Sequence, residues 1–325
     1  MDLILRLISL FFRGTALMLG LVGLAFAAAC LGGSFSDRLD ALTHFVPLWL
    51  AMGVGAVVLG ALSARQGERW AIVGLGLASV AACGVLMGPE LMAAARFKPL
   101  TPREGDLKIV QFNVWHDNRT PDRTLAWLIA QDADILVLEE GGGTSTPVIV
   151  ALKKVYPFVI SCDGRRACDS WIFSRKPMVS AGGLYRRGQR FAGVWATIAD
   201  PKGDFTVIGA HYVWPVPAGP QQKQVKLLAR TASQFDKAGL IVTGDFNSTP
   251  WSFTLKDQDK ALGIPRRTLA VPSWPAGKFS RLLNAPVPFL PIDHVYAGPS
   301  WTTVSVERGP SLGSDHRPIV VHLRR

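Results

Sequence analysis

Three long apolar runs occupy the first hundred residues, and short apolar runs that end in polar clusters fill the rest. Leu7 to Leu31 is broken only by Ser9, Arg13 and small residues. Phe45 to Ala64 has no charged residue, and Trp70 to Gly88 forms a third run. Each approaches the ~20 apolar residues that carry a helix across a hydrocarbon core. Gly53, Gly55, Gly60, Gly74 and Gly76 suit close helix packing. The pattern predicts an all-α anchor over 1–96 with membrane spans at about 7–31, 45–64 and 70–88. The alternatives are buried helices of a soluble domain or, for the first run, a secretory signal ending near Ala27-Ala28-Ala29 before Cys30. Three runs separated by short polar loops favour the anchor. Residues 97–105, with Pro99, Pro102 and several charges, read as a linker.

Beyond the linker the period changes. Leu107–Val114 alternates as a strand, and the continuous run Ala133–Leu138 reads as a buried one. Further strands are expected at Ser170–Ser174, Ala192–Ile198, Phe205–Val213, Leu240–Thr243, Asp293–Tyr296, Thr302–Val306 and Pro318–Leu323. Helical spacing marks Asp122–Gln131, Thr146–Val155 and Gln221–Phe235. Many strands with few helices, and no strict βα alternation, predict an α/β fold: a two-sheet β-sandwich flanked by helices over 106–325.

Composition adds sidedness and a substrate class. The net charge is +11. Arg165-Arg166, Arg175-Lys176, Arg186-Arg187 and Arg190 offer a surface for an anionic substrate. Arg6, Arg13, Arg65 and Arg69 mark the cytoplasmic side, and the Ser34–Asp40 loop the other, whereas Arg96, Lys98 and Arg103 argue in the opposite direction. Cys162 and Cys168 share one polar loop that a disulfide would close in an oxidising compartment. Two free surface thiols are the plainer alternative; Cys30 and Cys83 fall inside apolar runs. The expectation is an integral membrane protein of the bacterial inner membrane, its second domain on the extracytoplasmic side.

The chemistry resides where strands end. Gln111-Phe112-Asn113, Glu139-Glu140, His211, Gly244-Asp245-Phe246-Asn247, Asp293-His294 and Ser314-Asp315-His316 each follow or open an apolar run. Hard oxygen ligands, amides and histidines at strand ends are what divalent-metal phosphoester hydrolysis requires. In this order the clusters resemble the endonuclease/exonuclease/phosphatase superfamily over residues 107–323. The resemblance implies a deoxyribonuclease-like four-layer sandwich and Mg²⁺, with Mn²⁺ as a substitute.

Carried over residue by residue, the resemblance gives the metal set as Glu140 and Asp315, with Asn113 orienting the ligand carboxylate. Asp245 and Asn247 contact the scissile phosphate and the attacking water. His316 acts as base or polarises the phosphate, with Asp293 fixing its tautomer. His211 protonates the leaving oxygen, paired with Asp169. Glu139 departs from the family, which has Gln there; it reads either as an added charge beside the ligand or as a solvated loop carboxylate. Plainer readings stay open: a turn-forming Asn113, an Asx turn at Asp245–Asn247, a structural His211 and a loop-capping Asp169. His294 reads as structural. The substrate is a phosphoester, nucleic acid first and a phospholipid or sphingolipid headgroup second. Trp115, Trp171, Trp214, Trp251 and Trp274 are expected near the strand ends, where they would stack bases or meet lipid. The remaining alternative is a non-catalytic membrane binding module. The lipid bilayer is the other expected partner, and no protein partner is inferable.

Overall fold

The computed structural model describes residues 2–162, 170–184, 191–277 and 284–325. By its contacts the chain separates into two compact units. One is Met1–Ala95 with Val216–Ala218 and Trp251–Phe253; the other is Arg96–Pro215 with Gly219–Pro250 and Thr254–Arg325.

The first unit is helical: α1 (Asp2–Leu31), α2 (Asp37–Thr43), α3 (Val46–Ser63) and α4 (Gln66–Arg96). The three helices other than α2 are long and apolar enough to cross a membrane. About a third or less of each apolar window is buried, and Leu62 and Trp70 are almost fully open. An apolar surface of that extent calls for an apolar surround. Glycines set the contact between α3 and α4: a Cβ on Gly76 would press on the Gly53 carbonyl, and one on Gly53 on Ser79. One expectation is corrected: Asp37 and Asp40 fall in the first turn of the short helix α2, which acidic residues there favour, and not in a loop. The helix that carries the third apolar run, α4, continues through Pro89 to Arg96.

Among the described residues, the second unit carries eleven strands and four α-helices. In chain order they are β1 (Leu107–Asn113), α5 (Pro121–Ala130), β2 (Ile135–Glu139), α6 (Thr146–Val155), β3 (Phe158–Ser161), β4 (Trp171–Ser174) and β5 (Met178–Gly183). Then follow β6 (Ala192–Ile198), β7 (Phe205–His211), α7 (Gly219–Ala232), β8 (Ile241–Asp245), α8 (Phe253–Leu262), β9 (Asp293–Ala297), β10 (Thr302–Arg308) and β11 (Ile319–Arg324). One sheet has the order β10-β11-β1-β2-β4-β3, the other β5-β6-β7-β8-β9. Among the described strands, β1–β2 and β7–β8 pair in parallel and the other pairs are antiparallel.

The layers follow from alternation along each strand. Ile109, Ile135, Val137, Val207, Ile241 and Val295 face between the sheets. Val110, Phe112, Leu136 and Leu138 face the other way, under Leu128 of α5 and Val148 and Leu152 of α6. Ile208, Val242 and Tyr296 lie with Val225 and Leu228 of α7 and Leu255 and Leu262 of α8. The result is the expected four-layer α/β sandwich. The edge strands β3 and β5 and helix α8 have no counterpart in the sequence reading. β5 exposes Ser180 and Ala181 and ends in two glycines, so it lacks an apolar period. α8 buries only Leu255 and Leu262 as large apolar residues.

Candidate active site

The site is the polar continuation of the inward faces. On β1, Leu107 and Ile109 are apolar, and the same face continues as Gln111 and Asn113. On β2, Val137 is followed two residues later by Glu139; on β7, Val207 and Gly209 lead to His211; on β8, Ile241 and Thr243 lead to Asp245. Asp293 opens β9 in register with Asp245, and Asn113 pairs in register with Glu139. Two parallel pairs therefore deliver carboxylates and amides to one end of the sandwich. Gly244 permits this: its φ is +149°, and a Cβ there would collide with the Ala210 carbonyl.

The two sheets are joined there by side chains. Gln111 Nε2 donates to Glu139 Oε2 at 2.9 Å and to Asp293 Oδ1 at 2.7 Å. Asn113 Nδ2 donates to Glu140 Oε1 at 2.9 Å and Asp245 Oδ2 at 3.1 Å. His316 Nδ1 lies 2.7 Å from Asp293 Oδ2, and its Nε2 lies 3.5 Å from Asp245 Oδ2. His211 Nε2 stands 3.7 Å from both Asp245 Oδ2 and Glu140 Oε1. Ser314 holds the terminal loop in place: its Oγ donates to the Asn113 carbonyl at 2.7 Å and accepts from His316 N at 3.0 Å. Trp274 Nε1 donates to Asp315 Oδ2 at 3.2 Å, while the buried Asp315 Oδ1 has no partner among the described residues.

Charge is sharply partitioned among these groups. Burial would raise Glu140, yet the His211 charge, the donors on Asn113 and His116, and the His316 charge hold its carboxyl at about 2. Burial pushes Asp245 up to about 6, opposed by His316 and reinforced by Asp293. Asp293 stays below its ordinary value: burial opposes it, but the His316 charge and hydrogen bonds from His316, Ser273 and Gln111 prevail. Burial would lower His316, but Asp293 and Asp245 carry it well above its ordinary value. Burial and the nearby Asp293 charge push Glu139 well above the carboxylate range.

These contacts revise several expectations. Glu139 is fully buried on β2, bonded to Gln111, and is no solvated loop carboxylate. Asn247 is in the left-handed region (φ +48°), not on an extended segment. Its amide N donates to Asp245 Oδ1 at 2.8 Å in an Asx-type turn, so the turn and the site are one feature. Phe246 packs in the core, and the buried His294 bonds the Ser248 carbonyl at 2.8 Å. Arg175 and Lys176 pair with Asp132 and Asp200 at the opposite strand ends. Trp251 is buried within the first unit, and Trp171 packs on Phe173. Trp214 and Trp274 form an edge-to-face pair at 5.6 Å. Asp169, Arg165, Arg166, Arg186, Arg187, Arg190 and Cys168 lie outside the described residues; Cys162 is disulfide-bonded.

Two residues escaped the sequence reading. Gln111 bridges two buried carboxylates, Glu139 and Asp293. His116, three residues past Asn113, sets Nδ1 2.8 Å from Glu140 Oε2. Its position just after a strand-end amide was the available signal.

Asp245, Asp293 and His316 bring ligand-type atoms within 4.8 Å of one another. In this chain His316 Nδ1 is already engaged by Asp293. Hard oxygens are also offered by Glu140, whose carboxyl is held at about 2, and by Asp315, which burial raises and whose Oδ1 has no partner among the described residues.

A sequence model of the Endonuclease/Exonuclease/phosphatase family matches residues 110–316. No curated protein matches the sequence. Among solved structures the fold is similar to an endonuclease/exonuclease/phosphatase from Bacteroides vulgatus: TM-score 0.55, 18% identity, covering 68% of this chain and 99% of that one. It is also similar to a beta toxin from Staphylococcus aureus, with TM-score 0.52, 16% identity and coverage of 66% and 99%. A third is an endonuclease/exonuclease/phosphatase from Beutenbergia cavernae, with TM-score 0.50, 21% identity and coverage of 67% and 71%. At these identities the likeness is one of fold.

Proposed function

We propose that this chain, which belongs to the endonuclease/exonuclease/phosphatase family, is a membrane-anchored, divalent-metal-dependent phosphodiesterase. Members of the family are typically hydrolases of phosphoester bonds. The observation that carries the reading is the buried line Asp293–His316–Asp245 set beside an ionised Glu140.

Glu140 and Asp315 would hold Mg²⁺ or Mn²⁺, with Asn113 fixing the Glu140 carboxylate. The cation would supply charge stabilisation to the phosphoryl oxygens. Asp293 keeps His316 protonated on Nδ1 and oriented, so that its Nε2–H can be given to a phosphoryl oxygen. Asp245, held near neutrality, is suited to accept the proton of the attacking water. Asn247 offers a neutral amide donor that adds no repulsion toward an anionic substrate. His211, at the rim of the same cluster, protonates the leaving oxygen.

Nucleic acid is the first substrate reading, supported by the His211–His316 pair and by the ring faces of Trp214 and Trp274. A lipid phosphodiester is the second and has its own support. Trp214, Val287 and Phe289 are each more than half exposed. Phe289 N donates to the Trp274 carbonyl at 3.1 Å, beside the Trp274–Asp315 contact. The disulfide at Cys162 supports an extracytoplasmic second unit; a periplasm-restricted reporter at Arg325 that stayed silent would refute that side.

The test uses the full chain in detergent, with bis-p-nitrophenyl phosphate against p-nitrophenyl phosphate, in Mg²⁺, Mn²⁺ or EDTA. Metal-dependent cleavage of the diester, abolished in His316→Ala, is expected. Monoester preference would make it a phosphatase, and turnover persisting in His316→Ala would sink the assigned roles. DNA against lipid vesicles then separates the two substrate readings.

A further inference from the structure

The backbone on both sides of Glu140 is bent to bring one more side chain onto it. Trp115 (φ +59°) and Glu140 (φ +54°) are both left-handed, a conformation that strains a non-glycine residue. The Trp115 turn is fastened at each polar group. Trp115 N donates to Asn113 Oδ1 at 3.0 Å, and the Trp115 carbonyl accepts from Ser145 Oγ at 2.7 Å. The His116 carbonyl accepts from Thr144 N at 2.8 Å and Thr144 Oγ1 at 3.0 Å. Gly143 allows this approach, because a Cβ there would collide with the His116 carbonyl.

This bracing brings His116 Nδ1 to 2.8 Å from Glu140 Oε2, while the other ring nitrogen, Nε2, stands 3.7 Å from Asp117 Oδ2. An ionised carboxylate only accepts, so the imidazole donates from Nδ1. Glu140 then has one oxygen held by Asn113 and the other by His116, so rotation of the carboxylate about its one C–C bond is fixed. The His116 ring is otherwise 58% exposed and contributes nothing to the core. Strain held in two residues for the sake of an exposed side chain is not accounted for by folding alone.

We propose that His116 is a positioning residue for Glu140, and through it sets the affinity of the divalent-cation site; this rests on the reading of Glu140 as a ligand. Outer partners of ligating carboxylates typically contribute 10–100-fold to metal affinity.

The experiment is Mn²⁺ binding to the full chain in detergent by titration calorimetry, on wild type, Glu140→Gln, His116→Ala and His116→Asn. An Asn side chain can place an N–H near the position of Nδ1, whereas Ala cannot. Expected are a dissociation constant raised about 10-fold or more in His116→Ala and a return to within about threefold in His116→Asn. Melting temperature should be unchanged in both, since the ring is exposed. At saturating Mn²⁺ the kcat of His116→Ala should approach that of wild type, because the loss lies in cation affinity. His116→Ala binding within twofold of wild type, or His116→Asn as weak as His116→Ala, overturns the inference while Glu140 stands. Glu140→Gln binding as wild type, or a wild type that takes no Mn²⁺, overturns the reading of Glu140 and the inference with it.

Discussion

Replacing Asp293 by Asn is the sharpest probe of the proposed chemistry. Asp293 is fully buried and accepts hydrogen bonds from His316 Nδ1 and Gln111 Nε2, each at 2.7 Å. The amide keeps the size and removes the charge. A hydrogen bond to a charged group contributes about 1.5–3 kcal/mol. At about 1.4 kcal/mol per decade, its loss alone lowers kcat/KM by roughly 10- to 150-fold. A second effect adds to it: His316 is held well above its ordinary value chiefly by Asp293 and Asp245 against burial, so the variant imidazole loses its proton at lower pH. The assay is the pH profile of kcat/KM on bis-p-nitrophenyl phosphate with saturating Mg²⁺, from roughly pH 5 to roughly pH 10. Wild type should keep activity well above neutrality and decline as His316 deprotonates. In Asp293→Asn that alkaline limb should move toward acid, with a lower plateau. An unmoved limb, or a rate within about threefold of wild type, refutes the role given to the pair.

Three further outcomes are expected. Glu139→Gln should leave activity within a fewfold of wild type and raise stability by on the order of 1 kcal/mol at neutral pH. A carboxyl whose folded value is raised loses stability as pH climbs above its unfolded value, so the gap between variant and wild type in urea midpoints should widen from about pH 4.5 upward. Gly244→Ala should fail to give a folded second unit by circular dichroism, since its Cβ would meet the Ala210 carbonyl; a native melting curve would contradict the strand approach described here. Asp106→Asn removes the paired bonds to Arg324, both at 2.7 Å. The Asp106 value is lowered, chiefly by its bond to Arg324, so its contribution is present above about pH 4 and lost as pH falls further. The melting temperature of this variant should therefore drop at neutral pH and converge with wild type in acid.

Legibility in the sequence tracked how local the cause was. The strands carrying Val110, Leu136, Val207 and Val242 read clearly because each is buried on both faces. β5 and α8 did not, because an edge strand ending in Gly182-Gly183 and a helix with two large apolar contacts leave almost no period. Asn113, Glu140 and Asp245 were legible as polar residues that follow an apolar strand, and Asp293 and His316 as polar residues that precede one. The Gln111 bridge was not, since its partners lie 28 and 182 residues away. Nor was His116, whose place depends on left-handed turns at Trp115 and Glu140 that neither residue type announces.

By itself, then, the sequence determined the apolar helices, the two-sheet class and the inventory of donors at the strand ends, because hydrophobic period and residue chemistry are local properties. Tertiary structure alone decided in which direction each carboxylate's proton affinity moves. Glu139 and Glu140 are adjacent in the chain and of one residue type. One faces the gap between the sheets beside Asp293 and is pushed well above its ordinary value by burial and that charge; the other turns toward His211, Asn113 and His116 and is held at about 2. Desolvation and the sign of the nearest charge act through space, and only the folded chain sets those distances.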